Sequence, residues 1–260
     1  MPTPFVAVSL KLYFDHAETL RWSRRVAALA RAHVAVVSGA IELAILPSTP
    51  SLSEVRRLVA GSAVRLGAQD LSCFDTGPYT GEASGRQLRE VGCRYAEIGH
   101  AERRRLFGDD EERIRGKTAA ALRNGLVPLL CVGEDMRGSP AAAAEQAVDQ
   151  LRSALAGASG TTGLPEVVVA YEPVWAIGAA QPAPAEHIRT VCAALAAELG
   201  DHGDRTSRVI YGGSAGPGLL DELGAEVDGL FLGRRAHDVD GLAAVLDEAA
   251  ARPAGEQPPS

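Results

Sequence analysis

Eight short apolar runs, each followed by a longer stretch with helical spacing, recur along the chain and leave few folds open. The runs are FVAVSLK (5–11), IELAILP (41–47), AVRLGAQ (63–69), CRYAEIG (93–99), VPLLCVG (127–133), EVVVAYE (166–172), RVIYGG (208–213) and VDGLFLG (227–233). They are apolar enough to be buried on both faces, as parallel strands are. Between them, Ala17 to Ala32 places Leu20, Val26 and Leu29 on one face, and Glu111 to Asn124, Ala141 to Leu155, Ala183 to Leu199 and Val239 to Ala250 read the same way. These stretches are rich in Ala, Glu, Arg and Leu and are bounded by Gly or Pro. Strand then helix, eight times, is the arithmetic of a single-domain α/β fold, a (β/α)8 barrel over residues 1–251. A doubly wound open sheet is the alternative, because periodicity does not show closure. The last segment, ARPAGEQPPS, is Pro-rich and aperiodic, and residues 252–260 read as a disordered tail.

Composition narrows the partners. With 26 Lys and Arg against 33 Asp and Glu, the formal net charge is −7, which argues against nucleic acid and against anionic membranes. No stretch approaches the ~18 uninterrupted apolar residues of a membrane span, and the start MPTPFVAVSLK lacks a basic region followed by an apolar one, so the expected location is cytoplasmic. Cys73, Cys93, Cys131 and Cys192 show no CxxC spacing and read as reduced core thiols.

Both candidate folds bind ligands at the carboxyl ends of their strands, and polar groups occur there. Lys11 closes the first run; by itself it reads as a surface lysine. His100 follows the fourth run at the start of a helix, where backbone N–H groups suit a neutral imidazole able to donate to a developing oxyanion. Glu102, two residues on, reads alone as a helix-start acid. Glu172 ends the sixth run; at the mouth of an apolar barrel a carboxylate stripped of water is a better base, and an ion-paired structural glutamate is the competing reading. After the seventh run, YGGSAGPG (211–218) offers Gly212, Gly213 and Ser214, and after the eighth, FLGRRA (231–236) offers Gly233. Glycines there let backbone N–H groups approach an anion, and a phosphate site after strands 7 and 8 recurs in such barrels. Neither GxGxxG nor GxxxxGK[ST] occurs, which weighs against dinucleotides and nucleoside triphosphates.

Six ordered motifs together resemble the triosephosphate isomerase family over nearly the whole chain: GPYTGE (77–82), IGHAERR (98–104), LCVGE (130–134), AYEPVWAIG (170–178), YGGS (211–214) and DGLFLG (228–233). The resemblance implies a TIM barrel in which Glu172 moves a proton between adjacent carbons and His100 is the neutral electrophile at the substrate oxygens. It also implies that Lys11 stabilises an enediolate beside its ion-pairing neighbour Glu102. Gly178, Ser214 and Gly233 would donate to a phosphate, and Pro173 to Gln181 would close as a lid. No metal or organic cofactor is implied. The segment QDLSCFDTGPYTGE (69–82) resembles the family's intersubunit loop, with Thr80 at the contact position, so a homodimer is expected.

Three departures stand out. The family's Asn-x-Lys is here Ser9-Leu10-Lys11, its Ser after the catalytic histidine is Ala101, and its Gly-Gly phosphate pair is Gly233-Arg234. Ser9 together with Gly233-Arg234-Arg235-Ala236 resembles a branch that isomerises erythrulose phosphates, whose substrates carry one more hydroxymethyl group. The lid ends in Ala179-Ala180-Gln181 where the family has a glycine and a cation. The sequence therefore supports a triosephosphate isomerase acting on a small phosphorylated sugar. A tetrulose phosphate isomerase (L-erythrulose 1-phosphate to D-erythrulose 4-phosphate) with the same residues is the alternative, and a catalytically silent barrel is the third reading.

Overall fold

A computed structural model describes residues 2–156, 166–201 and 206–252. Eight parallel strands, β1 (Phe5–Ser9), β2 (Glu42–Leu46), β3 (Arg65–Ala68), β4 (Tyr95–Ile98), β5 (Val127–Val132), β6 (Val168–Tyr171), β7 (Arg208–Tyr211) and β8 (Gly229–Leu232), form a barrel in sequence order. Closure is direct: Phe5 pairs with Gly229 and Val8 with Leu232, which excludes the open sheet. At that seam a glycine is obligatory, because a Cβ on Gly229 would collide with the backbone carbonyl of Phe5.

The helices that pack outside are α1 (His16–Ala32), α2 (Val34–Val37), α3 (Leu52–Leu58), α4 (Gly85–Glu90), α5 (Ala101–Phe107), α6 (Glu111–Arg123), α7 (Pro140–Leu155), α8 (Ala185–Asp201), α9 (Leu219–Leu223) and α10 (Val239–Ala251). Local chemistry starts the longer ones. Asp15 and Glu18 form a reciprocal capping box on α1, Asp110 caps α6, and Ser139 with Pro140 opens α7. The five helices expected from periodicity all form within two residues of the expected bounds. Helices α3, α4 and α9 are too short for periodicity to reveal. No helix among the described residues is long and apolar enough to cross a membrane.

Two faces of each strand serve two cores. Outward side chains pack under the helices, while Phe5, Ala7, Leu46, Tyr95, Leu129, Val168 and Ile210 fill the barrel. The amino end of the barrel is closed by charge. Arg208, 4% exposed, donates to Glu42 (2.8 Å) and Glu166 (2.5 Å) and lies 4.7 Å over the Phe5 ring. Tyr95 donates its phenol to Glu42 at 2.7 Å.

Of the cysteines, Cys93, Cys131 and Cys192 are buried and all four are free, but Cys73 is half-buried, a correction to its expected core position. It follows β3 in an irregular segment, where its thiol meets the carbonyl of Arg113 at 3.4 Å. Residues 253–260 of the expected tail lie outside the described residues. Arg252 donates to the carbonyls of Val227 (2.7 Å) and Gly224.

Replacing Arg208 removes the buried one of two guanidinium groups shared by Glu42 and Glu166, leaving Arg94 at 3.5 Å and 2.8 Å from them, so Arg208→Met is expected to cost about 2 kcal/mol of unfolding free energy in urea titrations near neutral pH. Burial pushes the Glu42 carboxyl up, but the hydrogen bonds from Arg208 and Tyr95 and the charges of Arg208 and Arg94 outweigh it and hold its pKa below the ordinary 4.5. A carboxyl held low stabilises the fold above that ordinary value, and the gain disappears as pH falls through the lowered one. The penalty of Arg208→Met should therefore shrink below about pH 4.5; a pH-independent penalty would contradict the electrostatic origin.

Candidate active site

The carboxyl ends of the strands surround a cavity of about 620 Å³. Ser9 and Lys11 reach it from the end of β1, His100 and Glu102 from the start of α5, and Glu172 from the residue after β6. Gly178 enters from the segment that follows, and Ser214, Gly233 and Arg234 from the loops after β7 and β8. The residues that the family resemblance assigns to proton transfer and phosphate binding thus line one cavity together with Gly212, while Gly213 does not line it. Thr80 does not; it is exposed in the segment after β3.

Lys11 holds a positive φ of 50°, a conformation that L-residues with side chains seldom adopt and that sites retain when neighbours impose it. Two contacts do so. Gln69 donates to the Lys11 carbonyl at 3.2 Å, and the Lys11 ammonium meets Glu102 at 2.8 Å. Burial works to lower the pKa of Lys11, but the Glu102 hydrogen bond and the charges of Glu172, Glu102 and Glu97 outweigh it and leave the ammonium more firmly protonated.

His100 occupies the N-cap of α5, and its Nδ1 accepts the backbone N–H of Glu102 at 3.1 Å. An imidazole nitrogen that accepts carries no proton, so in the neutral ring the proton sits on Nε2. That nitrogen faces Glu172, with Nε2 and Oε2 3.6 Å apart. Glu172 is 5% exposed, and its Oε2 is buried without a hydrogen-bond partner. A buried acceptor left idle is unusual, and here it opens toward the cavity.

Glycine makes room for this carboxylate. A Cβ at Gly212 would lie 2.6 Å from Glu172 Cγ and 2.7 Å from its Oε1. Such a contact forces the side chain to shift.

The segment after Glu172 is tied down at several points. Ser214 Oγ, on a residue with φ of 55°, lies 2.8 Å from the carbonyl of Ala176 and 2.9 Å from that of Ala179. The Ala183 amide donates to the Tyr211 phenol at 2.9 Å. Arg235 donates to the Ala180 carbonyl at 3.0 Å, supplying a cation from the β8 loop to a stretch, Ala179-Ala180-Gln181, whose own sequence has none. Arg234 lies 5.6 Å over the Tyr13 ring at the cavity edge.

Two carboxylates escaped the sequence reading. Glu134, 2% exposed, accepts from the Trp175 indole (2.8 Å) and the Tyr171 phenol (3.0 Å) and contacts His187 (3.0 Å), anchoring the near end of the segment. It lies inside the LCVGE motif, so its position was visible while its partners were not. Glu97, 3% exposed in β4, accepts from the Ser9 hydroxyl at 2.9 Å. Burial above all raises its pKa to about 7, with Glu172 adding to the rise and His100, Ser9 and Lys11 opposing it. A charged residue within an otherwise apolar strand was the available signal.

A parallel barrel that brings a buried, unpaired carboxylate and an imidazole to one cavity, with glycine-bearing loops after β7 and β8, belongs to the barrel enzymes that act on a small anionic substrate. The triosephosphate isomerase family model matches residues 4–249. An L-erythrulose-1-phosphate isomerase of Pectobacterium atrosepticum is 50% identical over 245 residues, covering 94% of this chain and 95% of the relative. A triosephosphate isomerase of Rhodococcus jostii is 36% identical over 259 residues, covering 96% and 98%. The crystal structure of triosephosphate isomerase from Bartonella henselae superposes with a TM-score of 0.80 at 28% identity, covering 95% of this chain and 99% of that one. The chain belongs to the triosephosphate isomerase family, and it is an isomerase of that type.

Gly212→Ala is expected to lower kcat by about 100-fold, the scale of an ångström-sized misplacement of a reacting group, while the melting temperature changes little. Unchanged kcat would show that the carboxylate does not need this clearance.

Proposed function

We propose that the chain interconverts short sugar phosphates by moving a proton between adjacent carbons through an enediolate. The observation that carries this reading is the partnerless Oε2 of Glu172, buried in the cavity 3.6 Å from the Nε2 of His100. In the roles taken over by position from the family, Glu172 removes the proton from carbon and returns it to the neighbouring carbon. The Nε2–H of His100 donates to the substrate oxygens as charge develops on them. Lys11, firmly cationic beside Glu102, offsets that charge. The amides of Gly178, Ser214 and Gly233 hold the phosphate, with the Arg234 guanidinium beside them. Closure of residues 173–181 expels water, which strengthens each of these interactions.

The triose pair, dihydroxyacetone phosphate and glyceraldehyde 3-phosphate, requires nothing beyond this set. A second reading has specific support: Ser9 at the family's asparagine position, and 50% identity to the erythrulose-1-phosphate isomerase against 36% to the triosephosphate isomerase of Rhodococcus jostii. L-Erythrulose 1-phosphate is dihydroxyacetone phosphate with one hydrogen of the reacting carbon replaced by hydroxymethyl. The same proton transfer then yields D-erythrulose 4-phosphate.

A homodimer fits the segment after β3. Phe74 and Tyr79 stack at 4.0 Å with planes 2° apart, and both rings are exposed beside Thr80, an apolar tip suited to a partner surface. A cytoplasmic setting fits four free thiols.

Turnover of the purified chain on triose and erythrulose phosphates, side by side, tests the activity. Isomerisation of at least one class is expected, and Glu172→Asp should lose at least ~100-fold in kcat because the shorter side chain withdraws the base. No turnover of either class would refute the isomerase reading, and an undiminished variant would refute the assignment of the base. Sedimentation at micromolar concentration should give a dimer, and Thr80→Arg should shift it toward monomer; a monomeric parent would refute docking through this loop.

A further inference from the structure

Proton transfer as described leaves Glu97, buried beneath the site, without work. Glu97 projects from β4 into the top of the barrel interior, 3% exposed, and accepts from Ser9 at the end of β1 at 2.9 Å. The contact crosses the barrel floor, because β2 and β3 separate the two strands. Ser9 itself lines the cavity. Above its pKa of about 7 Glu97 is ionised and only accepts, so there it fixes the single proton of the Ser9 hydroxyl downward, away from the cavity. What remains exposed to a ligand are the lone pairs of Ser9 Oγ.

The floor of the cavity therefore presents an acceptor at a side chain that is the smallest able to carry a hydroxyl. The other groups around the reacting position are donors or the proton carrier: the ammonium of Lys11, the Nε2–H of His100 and the carboxylate of Glu172. The groups suited to hold a phosphate stand elsewhere, after β6, β7 and β8. A triose phosphate brings no hydroxyl beyond those of its two reacting carbons, and those meet His100 and Lys11. An acceptor held in one orientation by a buried carboxylate is matched by one further hydroxyl on the substrate.

We propose that Ser9 and Glu97 form a specificity device, in which Ser9 accepts a hydrogen bond from the terminal hydroxymethyl group of a four-carbon ketose phosphate and Glu97 orients Ser9 to do so. This rests on the isomerase reading for the identity of the ligand, and it selects the erythrulose phosphates within it. Ser9 is the residue that touches the substrate; Glu97 is a positioning residue that acts through it. In Glu97→Gln an amide replaces the carboxylate. The amide can donate to Ser9 Oγ, so the serine proton is no longer held away from the cavity.

Equilibrium binding separates this device from turnover. In the Glu172→Gln background, which lacks the base, calorimetry at about pH 8.5, where Glu97 is ionised, gives dissociation constants for L-erythrulose 1-phosphate and dihydroxyacetone phosphate. The ratio of the two is the readout. The parent should bind the four-carbon ketose more tightly. Adding Ser9→Ala should reduce that preference at least tenfold, adding Glu97→Gln should reduce it by a similar factor, and the two together should reduce it no further than Ser9→Ala alone, as expected of residues acting in series. A parent that binds the triose phosphate equally well, a preference unchanged by Ser9→Ala, or strictly additive effects would overturn the proposal. Glu97→Gln preserves side-chain volume; if it fails to fold, Ser9→Ala decides the contact with substrate and Glu97→Met, which fills the space without an acceptor, decides the role of the carboxylate. Failure of the isomerase reading shows separately, as no turnover of either phosphate by the otherwise unaltered chain while the binding ratio responds as stated.

Discussion

Glu172 Oε2 is buried without a partner, a condition that ordinarily costs on the order of 1–3 kcal/mol and is removed when side chains can rearrange. Here they cannot. The carboxylate stands on a barrel interior filled by Ile210, Ala170, Leu129 and Cys131, and this layer offers it no donor stronger than the Cys131 thiol. Gly212 beside it has no side chain, and His100 is held at 3.6 Å because its Nδ1 is committed to the backbone of Glu102. The idle acceptor is thus imposed by the alternation of the strands and by the cap of α5, and a rigid barrel is what keeps it idle.

The same alternation layers the whole interior. Inward positions at the amino end carry Glu42, Tyr95 and Arg208, joined through hydrogen bonds that reach Glu166. The middle is apolar, and the carboxyl end carries Ser9, Glu97 and Glu172. Charge appears at both ends for different reasons. Below, each carboxylate meets a guanidinium or a phenol, so burial is compensated; above, Glu97 meets only a serine hydroxyl and its pKa rises to about 7, burial being the largest cause.

Much of this was legible in the sequence, because strand and helix periods register burial directly. The eight apolar runs locate the barrel, and the polar residue closing a run locates the cavity wall, as with Lys11 and Glu172. Closure was not legible, since it depends on Phe5 meeting Gly229 across the full length of the chain. Nor were Glu97 and Glu134 as site residues: a glutamate within YAEI or LCVGE has no period to betray its partner, and Ser9 and Trp175 lie 88 and 41 positions away. Ser9 was readable as a departure from a motif, but the acceptor beneath it was not.

The segment after Glu172 illustrates how a motif can change while its anchoring comes from elsewhere. Ala179-Ala180-Gln181 offers neither the conformational freedom of glycine nor a cation. The structure places the missing charge on a different element: Arg235 reaches the Ala180 carbonyl from the β8 loop, while Ser214 and Tyr211 engage the segment from β7 and the loop that follows it. Residues 179–181 are therefore restrained from outside rather than by their own side chains, and the departures at Gly233-Arg234-Arg235 and at Ala179-Ala180-Gln181 meet in one contact. Because Arg235 binds a backbone carbonyl, the restraint does not depend on which side chains occupy these positions. At the near end of the segment, close to Glu172, Trp175 is fixed by Glu134.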